Sequence, residues 1–557
     1  MLEAPEPVSA PAPSPPRDDA SVVRTVLLRP EVGTAWGNHR SADQWGETGP
    51  AAVAAVEENL SLWRQQIESA EGSARRTLDQ RVLTASLEWF RFTREHVPLW
   101  RTDPDLVSPL FTTLLSHVRS HFPSEEARFS TLAARLDALP RVLELARTHV
   151  SGPPAELCER ASFVVGAAPL MLRAIVDACD RAHQLGVLPA SLPLAVRAAA
   201  VRAGDAVADV QSWIGTLRPA SFAPLGAELF DAVLHRRGLD LRAEEVLHIA
   251  RTCADESRAE MQRLLRKNFR GESSQKILAQ QTTPQSLHEC LTWTAELAQH
   301  ARTFCQSQPG IPDLPTPHEC VVVDAMPSLF SVDGEPWLLV PPQRFSPPYE
   351  SLLLLGEPWA DPKQEAFDEL SVGELECIAA HTTYPGAHAF WTTAQASTSP
   401  VRDGFLWGSL GAAADVWGSE TLEGFGLLAE ETMRELQFRP SALSRLVFLR
   451  RLRRKALEAV VDVELHTGGW TCDRAVDFLV QRAHVRVARA QAIVRRFLRR
   501  PTSGLSAVVG RARLLHLRTG AHRMWPHAYS DRRFLSFVCS QGPIPLSYLW
   551  EALEKKD

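Results

Sequence analysis

The stretch SFVVGAAPLMLRAIVDACDRAHQLG, residues 162–186, decides the fold class. Its apolar residues recur at i, i+3, i+4 and i+7, the spacing that gives a helix one apolar face. The same period runs through most of the chain from about residue 50 to 310, and again after residue 364. A mainly α fold is therefore predicted. The other predicted helices are 51–70, 110–122, 128–150, 195–214, 226–236, 242–267, 284–306, 371–382, 421–436, 441–465, 472–498, 504–520 and 545–555.

Between residues 310 and 357 the pattern changes. Three short apolar runs, HECVVVDAMP, GEPWLLVPP and ESLLLLGEPW, are bounded by proline and glycine. Short apolar runs with such boundaries are typical of β-strands. We expect a small β-sheet inserted into a large helical fold.

Three regions follow from these patterns. Residues 1–20 form a Pro/Ala-rich leader whose composition favours disorder. Residues 21–310 form an N-terminal helical region. Residues 311–557 contain the small β element and a C-terminal helical region that carries the sequence motifs. We expect one large unit rather than independently folding domains.

Composition limits the classes of partner. The chain has 557 residues and a net charge of -6, which gives no electrostatic reason to expect nucleic acid or a membrane as partner. Two arginine-rich segments, RRLRRKA at 450–456 and VRRFLRRP at 494–501, are expected on solvated helix faces. The nine cysteines form no C-x-x-C pair, and no signal peptide or apolar run of 18 residues is found. A cytoplasmic protein of undefined oligomeric state is expected.

The segment AHTTYPGAHAFW, residues 380–391, contains two histidines that are candidates for a zinc site. Zinc needs three protein ligands, and a helical H-E-x-x-H motif provides two of them one turn apart. Here Pro385 stands four residues after His381, and His388 is seven residues away, about 10 Å along an ideal helix. One ion reaches both histidines only if the helix breaks at Pro385 and Gly386. Two structural histidines beside a turn are the alternative.

A carboxylate further along the chain is a candidate for the third ligand. Glu423 lies in ETLEGFGLLAEETMREL, residues 420–436, at the start of a predicted helix. Helical metallopeptidases draw a carboxylate ligand from a following helix. The alternative is that Glu423 occupies the first helical turn, where the helix dipole favours negative charge.

Residues 371–557 resemble the bacterial domain-of-unknown-function family 885, which looks like helical zinc metallopeptidases. The family pattern H-E-x-x-P-G-H-H is matched by residues 381–388, and its E-G-W-A-x-Y stretch by residues 423–428. Three later blocks follow in the same order. They are VVDVELHTGGW at 460–470, RRFLRRPTSGLSAVVG at 495–510 and FLSFVCSQGPIPL at 534–546.

The departures from the family pattern fall on reactive side chains. Thr382 replaces the general-base glutamate, and a threonine hydroxyl cannot accept a proton from zinc-bound water near neutral pH. Ala387, Ala507 and Leu535 replace a histidine, a tyrosine and a histidine of the pattern. No catalytic residue is therefore assigned.

The resemblance implies a large helical metallopeptidase-like fold with a metal site and a cleft. It implies His381, His388 and Glu423 as zinc ligands, although the lost side chains leave the retention of zinc undecided. His466, Tyr384 and Arg518 are candidate cleft residues.

Two classes of function follow, and a third remains. The first is a catalytically degenerate homologue that binds a peptide, a small molecule or a protein partner in the old active-site cleft. The second is an active metal-dependent hydrolase of the peptidase type, in which Glu374, Glu376 or Glu420 replaces the missing base. The third is an enzyme of unrelated chemistry in the same cleft.

Overall fold

The computed structural model describes most of the chain. The described residues are 30–46, 77–97, 99–313, 319–324, 335, 337–345, 350–356, 369–397, 402 and 418–554, with separate positions between 50 and 62. The predicted leader at 1–20 and most of the helix predicted at 51–70 lie outside them.

The mainly α fold with a small sheet is confirmed. Serine side chains begin several helices, where the hydroxyl accepts a backbone N–H that has no partner within the helix, as Ser441 does from the N–H of Ser444 at 2.9 Å. The helices before the sheet are α1 Pro30–Ala35, α2 Leu78–His96, α3 Val107–Arg119, α4 Glu125–Arg147, α5 Ala155–Gln184, α6 Ser191–Thr216, α7 Ala227–Arg236, α8 Ala243–Asn268, α9 Ser274–Leu278 and α10 Leu287–Gln306.

The predicted strands form one three-stranded sheet. Strand β1 is Glu319–Asp324, β2 is Trp337–Val340 and β3 is Glu350–Leu355. The central strand β3 pairs parallel with β1 and antiparallel with β2. Leu355 packs with buried residues of α10 and the following helix, so the sheet is attached to the helical core through its central strand.

The helices after the sheet carry the sequence motifs. One predicted helix, 472–498, is instead two helices separated by a π-helical turn at Leu479–Ala483 and a left-handed residue, His484. The helices are α11 Val372–Thr382, α12 Ala387–Ser397, α13 Ser419–Glu435, α14 Ala442–Thr467, α15 Cys472–Phe478, α16 Val487–Arg499, α17 Ser506–Met524, α18 Asp531–Ser540 and α19 Leu546–Glu554.

The hydrophobic clusters do not separate at residue 310, where the predicted N-terminal region ends. Helices α3 to α6 pack around one apolar cluster of their own. Phe230 of α7 and Val246 of α8, however, share a cluster with Phe390 of α12 and Phe425 of α13. Helix α8 packs along α14, so the second half of the predicted N-terminal region is part of the C-terminal core.

Helix α5 is long and apolar enough to cross a membrane, judged by length and composition alone. The core helix of a soluble protein passes the same test. In this fold one face of α5, including Val164, Met171 and Ile175, is buried in the cluster formed by α3 to α6. The length and composition of α5 therefore do not show whether the protein contacts a membrane.

The arginine-rich segments are not simply solvated helix faces, as their sequence suggested. On α14 the side chains of Arg451, Arg454 and Lys455 are buried, and on α16 Arg499 is buried. The expectation failed because carboxylates from distant segments pair with these cations. Lys455 contacts Glu335 at 2.7 Å, for example.

Another buried ion pair joins three helices. Arg237, directly after α7, donates to Oε2 of Glu420 on α13 at 2.9 Å and to the carbonyl of Thr502, just before α17, at 2.6 Å. The Arg237 and Glu420 side chains are both 0% exposed. A buried charge that loses its partner is strongly destabilising.

We expect Arg237→Ala to lower the free energy of unfolding by about 3–5 kcal/mol, because Glu420 then remains buried without its cation. The control is Arg236→Ala, since Arg236 is 51% exposed and lies 4.0 Å from Glu88. Exposed pairs contribute about 1 kcal/mol or less. Chemical denaturation of the two variants measures both values, and equal losses would contradict the role assigned to the buried pair.

A candidate site built on His381

The helix that carries His381 ends one residue later. Helix α11 stops at Thr382, the Tyr384–Pro385 peptide bond is cis, and α12 begins at Ala387. A Cβ atom on Gly386 would lie 2.0 Å from the carbonyl oxygen of His381, so only glycine fits this turn. The helix break that the sequence required at Pro385 and Gly386 is confirmed.

His381 lies between two carboxylates of α13. Its Nδ1 is 2.9 Å from Oε1 of Glu430, to which the N–H donates, and its Nε2 is 3.6 Å from Oε2 of Glu423. The imidazole lies against Gly426, where a Cβ atom would come within 2.3 Å of Nε2. Glu430 is fully buried, whereas the Glu423 side chain is 36% exposed. Glu423 is therefore the side of this centre that solvent or a ligand can reach.

The two carboxylates favour the charged imidazole. Burial alone would lower the pKa of His381, but hydrogen bonds and charges from Glu423 and Glu430 raise it above its usual value. Burial alone would raise the pKa of Glu430, but Arg451 and His381 hold it below its usual value. In the absence of a metal, the two carboxylates therefore favour protonation of His381.

A chain of buried charges continues behind Glu430. Arg451 on α14 donates from Nε to Glu430 at 3.1 Å and from Nη1 to Glu374 on α11 at 3.5 Å. Arg450 also pairs with Glu374, at 2.6 Å. Burial alone would raise the pKa of Glu374, but the charges of Arg450, Arg454 and Arg451 lower it to about 2. His381 is thereby held by α11, α13 and α14 together.

The sheet insertion covers the same centre. The ring of Trp337, at the start of β2, lies 5.5 Å from the His381 ring. Two residues earlier, Glu335 accepts from Nζ of Lys455 at 2.7 Å. Burial alone would raise the pKa of Glu423, but His381 and Lys455 hold it below its usual value, against an opposing effect of the Glu335 charge. The site therefore lies at the junction between the insertion and the helices α11, α13 and α14.

His388 has a different partner from His381. Its Nδ1 lies 2.7 Å from Oγ of Ser351 on β3, and its ring makes an edge contact with Tyr384. His388 thus joins α12 to the central strand of the sheet. The structure brings His381 and Glu423 together, as predicted, but it records no contact of His388 with either of them.

Thr382 uses its hydroxyl within its own helix. The hydroxyl donates to the carbonyl of Ile378 at 2.6 Å, and the residue is fully buried. This position holds no proton acceptor that works near neutral pH.

The carboxylates considered as replacement bases are all engaged elsewhere. Glu374 pairs with Arg450 and Arg451. Glu376 pairs with Arg439, and Glu420 with Arg237.

The three cleft candidates lie apart from this centre. Tyr384 is 3% exposed and packs in an apolar cluster with α10, and burial raises its pKa to about 12. His466 is buried between Phe222 and Phe230, where burial lowers its pKa to about 4. Arg518 pairs with Asp531 at 2.9 Å near the end of α17.

Two of the three predicted zinc ligands have geometry that suits a metal. Tetrahedral ligands at 2.0–2.2 Å from zinc are roughly 3.3–3.6 Å apart, and Nε2 of His381 and Oε2 of Glu423 are separated by 3.6 Å. A carboxylate on the other imidazole nitrogen, as Glu430 is here, commonly orients a ligating histidine. Across the described residues, no group of three or more His, Cys, Asp or Glu side chains is arranged to hold a metal ion. The third ligand is not in place.

Sequence reasoning missed several members of this centre. Glu430 follows Glu423 by seven residues, two helical turns on the same face, so the spacing could have revealed it. Arg451 belongs to the segment 450–456, which was predicted to lie on a solvated helix face. Glu335 and Trp337 reach the site only through the sheet, and no local sequence signal points to them.

The fold and the site define a mainly helical protein with a buried histidine–carboxylate centre beneath a small sheet. The chain belongs to the family described as bacterial protein of unknown function (DUF885), whose model matches residues 30–553. The match therefore extends well beyond residues 371–557, on which the resemblance was based. No curated protein matches the chain.

Two solved structures share the fold along nearly the whole chain. One is a candidate lipoprotein of unknown function from Shewanella oneidensis, with 16% identity, a TM-score of 0.70, and coverage of 96% of this chain and 98% of that one. The other is a candidate lipoprotein from Colwellia psychrerythraea, with 13% identity, a TM-score of 0.77, and coverage of 96% and 97%. Identities this low establish a common fold and nothing about activity.

The raised pKa of His381 predicts a pH-dependent stability in metal-free protein. The contribution of the imidazolium is complete below the unfolded pKa of 6.5 and is lost as the pH rises through the folded pKa. We expect the difference in unfolding free energy between wild type and His381→Gln to shrink from pH 7 to pH 9, by up to about 1.4 kcal/mol per pH unit.

The control for this measurement is His466→Gln. The folded pKa of His466 is about 4, so this residue is neutral in the folded protein throughout that pH range and nearly so in the unfolded chain. Denaturation at several pH values should give a nearly constant difference for this variant. A constant difference for His381→Gln as well would show that no imidazolium forms at the site.

Proposed function

We propose that this protein binds a short peptide or a similar zwitterionic small molecule at the His381 centre without hydrolysing it. The observation that carries the proposal is that two side chains able to bind a ligand lie together, while the position of the family's general base holds no proton acceptor. His381 and Glu423 face each other at 3.6 Å, yet Thr382, at the position of the family's base, is buried with its hydroxyl bonded to Ile378.

The charges around the site suit a ligand that carries both an ammonium and a carboxylate group. The Glu423 side chain is partly exposed, and the ring of Trp337 lies 5.5 Å from the neighbouring His381 imidazole at a tilted angle. A carboxylate next to an aromatic face is favourable for an ammonium group.

Cations for the opposite end of the ligand lie nearby. The Glu335 carboxylate contacts Lys455 at 2.7 Å, Arg489 at 3.4 Å and Arg496 at 3.7 Å. The same three cations would hold the terminal carboxylate of a peptide that displaces Glu335.

The proposal includes descent from a zinc metallopeptidase-like ancestor. If zinc is bound, His381 and Glu423 would hold it, and it would act as a Lewis acid on a ligand carbonyl. Glu430 would then orient His381, and Arg451 would keep Glu430 ionised. The second candidate function, a metal-dependent hydrolase, is favoured by the 3.6 Å separation of His381 and Glu423 but has no base near the site among Glu374, Glu376 and Glu420.

Zinc content and peptide turnover distinguish the two functions. We expect the purified chain, supplied with zinc, to show no chelator-sensitive cleavage of a peptide library, because a missing general base typically removes about 10²–10⁴ in rate. Elemental analysis run in parallel reports whether zinc is retained. Stoichiometric zinc with chelator-sensitive turnover would establish the hydrolase and contradict the proposal.

Ligand binding tests the proposed recognition directly. We expect Glu423→Gln to weaken binding of short peptides by about ten- to a hundredfold, because it removes a charge-assisted hydrogen bond to the ammonium group. Glu435→Gln is the matched control, since Glu435 is exposed at the end of the same helix. Calorimetric titration of a peptide library measures both variants. Equal affinities for the wild type and Glu423→Gln would place the ligand elsewhere.

A further inference from the structure

A second concave surface, separate from the His381 centre, lies between α8, α9, α14 and the π-helical turn. It is an open groove of about 830 Å³. Among the described residues, six basic side chains line it and no aspartate or glutamate does. The basic residues are Arg258, Arg450, Arg453, Arg482, His484 and Arg486.

The positive charge of this groove is only partly neutralised. Arg450 pairs with Glu374 at 2.6 Å, and Arg486 lies 3.9 Å from Glu369. Within the described part of the chain, Arg258 and Arg482 have no carboxylate within 4.0 Å. Arg453 donates to the backbone carbonyl of Arg482 rather than to an acid. Cations gathered in this way repel one another unless an anion is bound.

The same repulsion lowers the pKa values of two groups in the groove. Burial and then the charges of Arg258 and Arg482 lower the pKa of Arg453, against a weaker opposing effect of Asp255. Burial and the charges of Arg453 and Arg450 lower the pKa of His484. The chain as a whole has a net charge of -6, so the positive charge of the groove is a local feature and does not reflect an overall basic composition.

The local backbone brings these side chains to one rim. The π-helical turn Leu479–Ala483 interrupts the run from α15 to α16, and His484 follows in the left-handed conformation with φ of 55°. π-Helical turns are rare and frequently mark functional sites. Without the interruption, Arg482 and His484 would lie on the faces of a continuous helix.

We propose that this groove binds a small molecule that carries several phosphate groups. Guanidinium groups form paired hydrogen bonds with phosphate, and several of them around one cavity match a ligand with several phosphates. The neutral polar lining residues, including Gln262, Ser274 and Gln481, suit hydroxyl groups. The described lining residues include no Phe, Tyr or Trp on which a nucleobase would stack, so we expect recognition to rest on the phosphates.

Calorimetric titration of the full-length chain tests this site with inorganic tripolyphosphate and myo-inositol hexakisphosphate as probes. We expect one equivalent to bind per chain. The double variant Arg258→Gln/Arg482→Gln should weaken binding by at least about tenfold, because two charge-assisted contacts are lost. Both side chains are exposed, so the variant should fold.

The matched control is Arg263→Gln on the same helix as Arg258. Arg263 is 67% exposed, pairs with Glu260 and does not line the groove, so affinity should be unchanged. The proposal is overturned if neither probe binds, or if the double variant binds as tightly as wild type. It is also overturned if citrate or a single-stranded oligonucleotide binds as tightly as tripolyphosphate, or if Arg263→Gln causes the same loss as the double variant.

Discussion

The pairing of buried charges between α11, α13 and α14 is the constraint on which the site depends. Ionised side chains inside a helical core are tolerated only when each has a partner of opposite charge. Across the three helices, acidic and basic side chains alternate and each pairs with the next. In order they are Glu374, Arg451, Glu430, His381 and Glu423. The orientation of the His381 imidazole is therefore set by this chain of ion pairs, whichever ligand the site binds.

The sequence predicted most of the observed helices, but α2 at Leu78–His96 and α18 at Asp531–Ser540 were not predicted although each has one apolar face. It failed at α12, because AHAFWTTAQAS is buried over most of its surface and has no polar face to give a 3.6-residue period. It also failed at the division of 472–498, since no proline or glycine marks the π-helical turn or the left-handed His484. The failures at α12 and at the division of 472–498 come from tertiary packing that overrides the local sequence pattern.

The site was predictable only where its members share a motif or a helix face. His381 and Glu423 were paired through the family pattern, and the structure places them 3.6 Å apart. The pattern could not show that His388 bonds to Ser351, because that contact depends on where the sheet packs. Composition also could not show that Arg451 and Lys455 are buried, because Arg451 pairs with Glu374 and Glu430 and Lys455 pairs with Glu335, all distant in the sequence.

Glu374 connects the two candidate sites physically. It pairs with Arg451, which holds Glu430 behind His381, and with Arg450, which lines the basic groove. An anion in the groove that pairs with Arg450 competes with Glu374 for that guanidinium, and Glu374 then relies more on Arg451. Any such change in the affinity of one site must appear equally in the other, because binding free energies are linked reciprocally. The two arginines are neighbours on α14, and both pair with Glu374 on α11, so the coupling passes from one arginine to the other through that carboxylate.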